Sequence, residues 1–399
     1  MKFLLTLMLI AVLAAGGAAA WGWYALTQPY ARFSAEGVFV DVPHGASRRS
    51  VARLLERNGV VRSAVAFEVY ARRHPKRTLQ AGEYYFAQAA AGRDVFWKLA
   101  KGQVYEQPFT VREGETMFDI ARELEAEKFL PADDFLKAAN DGTMVHDIAP
   151  HAASLEGFLF PATYNLPRHP AANELASQMV TQFKNAWNRI APPGASGAPG
   201  AADKTMTADG RPLVSVVTLA SLVERETPKP DERPLVAGVF ENRMKQQMPL
   251  QCDPTVVYAL ERLGQYNGKL TGQDLHFDSP YNTYAHAGLP PGPIGNPGEA
   301  SLRAALHPAE TNYFYFVANT QGGHFFGATL AEHNRNVTKY HRLLAGLPAE
   351  APQVVQADPQ PASGKQKQAQ PPKHATKHPL KHHKRAVRGT AQQTADERN

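Results

Sequence analysis

Cysteine is nearly absent: Cys252 stands alone among 399 residues. No intrachain disulfide can form, so the folded state must rest on its core. Charge is missing from the start of the chain, where nothing ionisable by side chain in the Asp, Glu, Lys or Arg sense occurs between Lys2 and Arg32. HExxH, GxGxxG and P-loop signatures are also absent, which leaves zinc-protease and nucleotide chemistry without a foothold. His276 with Asp278, and His324 with Glu332 and His333, fit no established ligand spacing, so neither a metal nor a cofactor is expected. Residues 351 to 399 hold nine Lys or Arg against three acids, and that surplus equals the whole-chain net charge of +6. The remainder is neutral in sum, and a nucleic-acid partner has no basic footprint to bind.

The uncharged run from Phe3 to Leu26 is long enough to cross a bilayer as one helix. Trp21, Trp23 and Tyr24 fall where an interfacial aromatic belt would lie. A signal peptide cut after Ala18-Ala-Ala20 is the competing reading, but the run exceeds the signal core of roughly 7 to 15 residues. A retained single-pass anchor with the bulk of the chain outside the cytoplasm is the expectation.

Two stretches match at a constant offset of 69: Val42-Pro-His-Gly45-Ala-Ser47 with Val51-Ala-Arg-Leu-Leu55, and Val111-Arg-Glu-Gly114-Glu-Thr116 with Ile120-Ala-Arg-Glu-Leu124. Each reads as an extended segment, a glycine turn, a Ser or Thr cap and a short amphipathic helix, hence a duplicated small α/β unit. Ala191 to Ala202 is a Pro, Gly and Ala loop with nothing to bury, and past Leu347 the chain loses all periodicity and reads as disordered. Pro212 opens a helix through Glu226, which Pro228 and Pro230 end, and a second helix spans about 232 to 246. Tyr313 to Ala318 has the aromatic, β-branched character of a buried strand.

A carboxylate on a largely buried helix tends to a raised pKa and can hold a proton near neutral pH, as a general acid must. Glu224 and Glu226 on the first of these helices differ by about 200° and cannot enter one pocket. Glu224 follows Val217, Ala220 and Ser221 on one face, whereas Glu226 is expected near the exposed helix end. Glu224 is thus the candidate acid, with a salt bridge to Arg243 or Arg303 as the structural alternative. Aromatic, Asn and Gly/Pro clusters at Leu155 to Tyr164, Leu250 to Thr255, Tyr281 to Tyr284, Gly288 to Gly298 and Gly322 to Phe325 suit sugar binding. Ordinary turn chemistry and core aromatics account for any one of them singly.

Phe109 to Ala121 resembles the opening of a LysM module, a family that binds N-acetylglucosamine-containing wall glycans. Ala220-Ser-Leu-Val-Glu-Arg-Glu-Thr227, Asp253-Pro-Thr255, Tyr281-Asn-Thr-Tyr284 and Gly288-Leu-Pro-Pro-Gly292, in that order, resemble the YceG-like, endolytic murein transglycosylase family over about residues 150 to 345. The long loop at 191 to 211 and the basic tail depart from that pattern. The resemblance implies an α+β protein with an anchor at 1–30, a duplicated LysM-like region at 31–149, a catalytic domain at 150–347 and a disordered tail at 348–399. It implies a lytic transglycosylase that cleaves the β-1,4 bond between N-acetylmuramic acid and N-acetylglucosamine within nascent strands, leaving 1,6-anhydro ends. Glu224 would be its acid and base, Tyr281, Asn282 and Tyr284 would position substrate, and Glu156 and Asp253 would be polar neighbours. The implied location is the inner membrane with the body on its periplasmic face, and the implied partners are peptidoglycan strands, that membrane and peptidoglycan synthases. The rival is a non-catalytic, membrane-anchored wall-binding protein in which Glu224 is structural.

Overall fold

The computed structural model describes residues 2–191, 205–207 and 209–349. Nearly all of the expected surface loop, and the basic tail from Glu350 onward, lie outside the described residues. Helix α1 (Lys2–Thr27) comes first, and is followed by β1 (Val38–Val42), α2 (Arg48–Arg57), α3 (Ala64–Arg72), β2 (Gly82–Phe86) and α4 (Gly92–Ala100). Next come β3 (Gln107–Thr110), α5 (Met117–Ala126), α6 (Ala132–Ala139) and β4 (Thr163–Leu166). The chain then runs through α7 (Ala172–Ile190), α8 (Leu213–Glu226), α9 (Arg233–Lys245), α10 (Asp253–Glu261), α11 (Glu299–Leu306), β5 (Tyr315–Ala318), β6 (His324–Gly327) and α12 (Leu330–Leu344). Helices and strands are mixed, and the strands form three separate antiparallel pairs, β1 with β2, β3 with β4 and β5 with β6.

Helix α1 is apolar all round, and its span from Phe3 to Thr27 covers about 37 Å at 1.5 Å per residue, enough for a hydrocarbon core of about 30 Å. By length and composition it suits either a membrane anchor or a signal sequence.

The duplication reaches further than its glycine turns. Helices α2 and α5 begin and end at the same offset of 69, each capped by the side chain expected, Ser47 on the Ser50 amide and Thr116 on the Asp119 amide. Each unit then adds a second helix and a strand that returns antiparallel to the first, giving β1-α2-α3-β2 and β3-α5-α6-β4. The units differ in the link from second helix to second strand, short from Arg73 to Ala81 and much longer from Asn140 to Ala162. The first unit has its own core of Val40, Val51, Leu55, Phe67, Tyr84, Phe96 and Leu99. Phe109, Met117, Ile120 and Leu124 of the second instead join a large cluster with α7, α8, α9 and α11.

That larger core is built around α8, whose residues Leu213 and Val216 to Val223 are buried on every side. Such a helix ends where prolines forbid its continuation, and its last turn must deliver any polar side chain into a gap between neighbours. Strand β5 is only half-buried, contrary to the buried strand expected, because it pairs with β6 alone. Phe316 reaches the core, edge-on to Phe240.

Asn296, fully buried before α11, ties the second unit to this core. Its carbonyl accepts from the Gly114 amide at 2.8 Å, and its amide donates to the Glu115 carbonyl at 2.9 Å. Its side chain donates to the Glu115 carbonyl and to Glu156, and accepts from the Gly157 and Leu159 amides, each at 2.9 Å. Asn296→Ala would strand two buried N–H groups at about 1–3 kcal/mol each. Urea denaturation should show a loss of at least about 2 kcal/mol, and an unchanged midpoint would mean that water replaces the clamp.

Candidate functional site

The last turn of α8 sends three consecutive side chains to three neighbours. Glu224 points toward α9 and α11, where one carboxylate oxygen meets the Arg233 guanidinium at 2.7 Å and the other accepts the Gly298 amide at 2.9 Å. Both partners are sealed from solvent, with side chains 5% and 7% exposed. Arg233 also reaches Glu113 at 3.4 Å. Gly114, at φ +83°, lies beside the Glu224 side chain, and its turn needs glycine for backbone sign. Burial raises the Glu224 pKa, and the Gly298 amide, the Arg233 charge and the Ser301 hydroxyl hold that rise back. The salt-bridge partner is therefore Arg233, not the Arg243 or Arg303 that spacing suggested.

Arg225 donates to the Gly114 carbonyl at 3.1 Å. Glu226 turns to the opposite side, as the 200° separation requires, but it does not leave at an exposed helix end. It is half-buried and faces Cys252, Asp253 and Arg243. Burial pushes its pKa up to about 7, the Asp253 charge adds to the rise, and the Cys252 thiol and Arg243 charge oppose it. The wall opposite comes from distant sequence. Cys252 immediately precedes α10, Asp253 is the first residue of that helix, and the Tyr284 hydroxyl donates to the Asp253 carboxylate. Arg243 is held by the Phe314 and Leu250 carbonyls, both at 2.7 Å, and lies 5.5 Å from the Tyr315 ring centre.

Of the residues singled out by sequence, Asp253 and Tyr284 thus gather around Glu226, while Glu224 belongs to a closed ion pair. Tyr281 is half-buried between the Tyr258 ring, 5.1 Å away, and the Arg262 guanidinium, 4.9 Å away. Asn282 is fully buried, donating to the Leu275 and Phe277 carbonyls at 3.0 and 2.8 Å and accepting the Tyr284 amide at 2.9 Å. It shapes the loop that presents Tyr284. Glu156, 2% exposed, comes from the long link between α6 and β4 and accepts the Met117 amide at the start of α5 and the Asn296 side chain. Glu226, expected near an exposed helix end, and Arg243, expected as a partner of Glu224, instead lie together beside Asp253. The Asp253-Pro-Thr motif was the signal that a carboxylate here needs a facing partner. Among the described residues no group of three or more His, Cys, Asp or Glu is placed to hold a metal ion, and His324 instead pairs with Glu232 at 2.7 Å.

Burial pushes the Glu156 carboxyl up to about 8 from an ordinary 4.5, against the pull of the Met117 amide. A raised carboxyl binds its proton more tightly when folded, so its stabilisation is complete below about pH 4.5, declines as pH rises and is gone above about pH 8. Urea midpoints should fall across that window, and Glu156→Gln, permanently neutral, should reduce the fall, above all between about pH 7 and 8, beyond the range of the raised Glu226. A slope unchanged by the substitution would show that Glu156 does not hold a proton in the folded protein.

A family model described as the YceG-like family matches residues 40–339. The chain is 33% identical over 342 residues to an endolytic murein transglycosylase of Bacillus subtilis, covering 82% of this chain and 90% of that protein. It is 30% identical over 366 residues to one of Streptococcus pneumoniae strain D39, covering 84% of this chain and 64% of the longer relative. A crystal structure described as a putative YceG-like protein from Listeria monocytogenes is 31% identical, with a TM-score of 0.49, and covers 76% of this chain and 99% of that one.

Proposed function

The chain belongs to the YceG-like family, and from that premise we propose that it is a membrane-anchored endolytic lytic transglycosylase acting on peptidoglycan. Its substrate is the glycan strand, cut internally at the β-1,4 bond between N-acetylmuramic acid and N-acetylglucosamine. The observation that carries a catalytic reading is a half-buried carboxyl, Glu226, with a pKa near 7 beside Asp253 and Tyr284. Such a group is populated in both protonation states at neutral pH, which suits one residue acting as acid and then as base.

In the proposed reaction the Glu226 proton passes to the departing glycosidic oxygen as the bond to the muramyl anomeric carbon breaks. The resulting carboxylate takes the proton of the muramyl 6-hydroxyl as that oxygen closes on the same carbon. No water is consumed and no second enzymic nucleophile is required, in contrast to two-carboxylate glycosidases. Tyr284 and Asp253 flank the reacting groups, and Tyr281, backed by Arg262, offers an aromatic face to a sugar. Asn282 and Glu156 support this wall from within. Glu224, the acid expected from sequence, serves in this reading to fix the end of α8 through Arg233 and Gly298. Around this site we assign residues 1–30 to an inner-membrane anchor, 31–149 to LysM-like glycan contact, 150–347 to catalysis on the periplasmic face and 348–399 to a tail. Peptidoglycan synthases that extend the same strands are the protein partners this role calls for.

The two glutamates separate by experiment. Glu226→Gln should cut glycan-strand cleavage by at least about a hundredfold with thermal melting retained. Glu224→Gln breaks a buried pair and should cost about 3–5 kcal/mol of stability, with activity surviving in the folded fraction. Products of the native protein should carry 1,6-anhydro-muramic ends, read by mass spectrometry as one water lighter than hydrolysed ends. A folded, inactive Glu224 variant beside an active Glu226 variant would return the acid role to Glu224. Absence of cleavage by the native protein would favour the wall-binding rival.

A further inference from the structure

The neutral sum of the body conceals a division of charge. Residues 28–104, which contain the first unit, carry thirteen Lys or Arg against six Asp or Glu. Arg49, Arg53 and Arg57 lie on one exposed face of α2 at four-residue spacing and have no ion-pair partner among the described residues. Helix α3 adds an apolar element. Val65, Val69, Arg72 and its cap residue Arg73 recur at three- and four-residue intervals and share a stripe about 100° wide. Val65 is 71% and Val69 47% exposed, while Ala64, Ala66, Phe67 and Ala71 turn the opposite face into the core. Two exposed valines within two turns are followed by two arginines, of which Arg72 also pairs with Glu68 at 2.6 Å.

This stripe begins where α1 ends. The Arg62 guanidinium, just before the Ser63 cap of α3, stacks 5.1 Å from the Tyr24 ring centre and 4.6 Å from that of Tyr30. Ala25 is buried against the unit, and Leu26 meets the start of α4 at Gly92. The exposed indoles Trp21 and Trp23 lie on the same helix end. Exposed valines edged by arginine, on a helix whose preceding Arg62 stacks on Tyr24 at the aromatic end of α1, have the chemistry of a surface that rests in the headgroup layer.

We propose that the first unit docks on the anionic phospholipid bilayer that receives α1, with Val65 and Val69 at the boundary between headgroups and acyl chains. Arg72 and Arg73 bind lipid phosphates there, and the arginines of α2 add long-range attraction. This rests on the reading of α1 as a retained anchor.

The test uses the full chain carrying Val69→Cys labelled with an environment-sensitive fluorophore, native Cys252 being fully buried and spared. The protein is reconstituted through α1 into vesicles of phosphatidylcholine, alone or mixed with phosphatidylglycerol, both containing acyl-brominated lipid as quencher. Quenching should be several-fold stronger in the phosphatidylglycerol vesicles and should fade toward 1 M salt, where the screening length is about 3 Å. Arg72→Glu with Arg73→Glu should abolish it while thermal melting and vesicle flotation are unchanged. Vesicle flotation reports α1 separately. Protein that floats with both vesicles but stays unquenched overturns the docking and leaves the anchor standing; protein that fails to float overturns both. Equal, salt-insensitive quenching in the two lipids overturns the assignment to anionic headgroups.

Discussion

A buried ion pair holds the centre of this molecule. Glu224 joins α8 to α9 through Arg233 and to the start of α11 through the Gly298 amide, all within a nearly dry space. Charges so placed stabilise only when the geometry is met, because each has lost most of its water. The pair therefore fixes the angle at which the last turn of α8 emerges, and with it the direction of Glu226 on the other side. Two carboxyls of one helix turn are both raised by burial and each meets its own set of neighbours. The Gly298 amide and the Arg233 charge hold back the rise at Glu224 while Glu113 adds to it, and the Cys252 thiol and the Arg243 charge hold it back at Glu226 while Asp253 adds to it.

The second α/β unit serves the same centre from a different direction. Its glycine turn lies against Glu224, its carbonyls bind Arg225 and Asn296, and its lengthened link supplies Glu156. The two copies of the duplication have thus separated in use. The longer link commits the second copy to the large core, and the first keeps a complete core of its own.

Local features were legible in the sequence. The offset of 69 located the starts of both capped helices, since Ser47 and Thr116 announce them, and the prolines around α8 gave its bounds. The helical period also separated Glu224 from Glu226. Which neighbours each would meet was not legible, because Arg233 and Gly298 on one side and Asp253 and Cys252 on the other are brought in by tertiary packing. Polar residue type likewise says little about burial. Asn282, Glu156 and Asn296 read as groups able to face a sugar, yet they are satisfied inside the fold by main-chain partners. The strand at Tyr315 read as buried because aromatic residues mark core and half-covered hairpin alike.

The junction after α1 has no slack in it. Tyr30 is bridged to Ala90, the Arg32 amide donates to the Gly59 carbonyl at 2.9 Å, and Arg62 clasps Tyr24 and Tyr30. With α1 held in a bilayer, such a joint makes the helix a stiff handle rather than a leash. The first unit then cannot wander through a hemisphere of the space outside, as a domain on a glycine-rich stalk would. It turns about the helix axis and leans as the helix leans, so a change in bilayer thickness, which alters helix tilt, would be transmitted directly into the attitude of that unit.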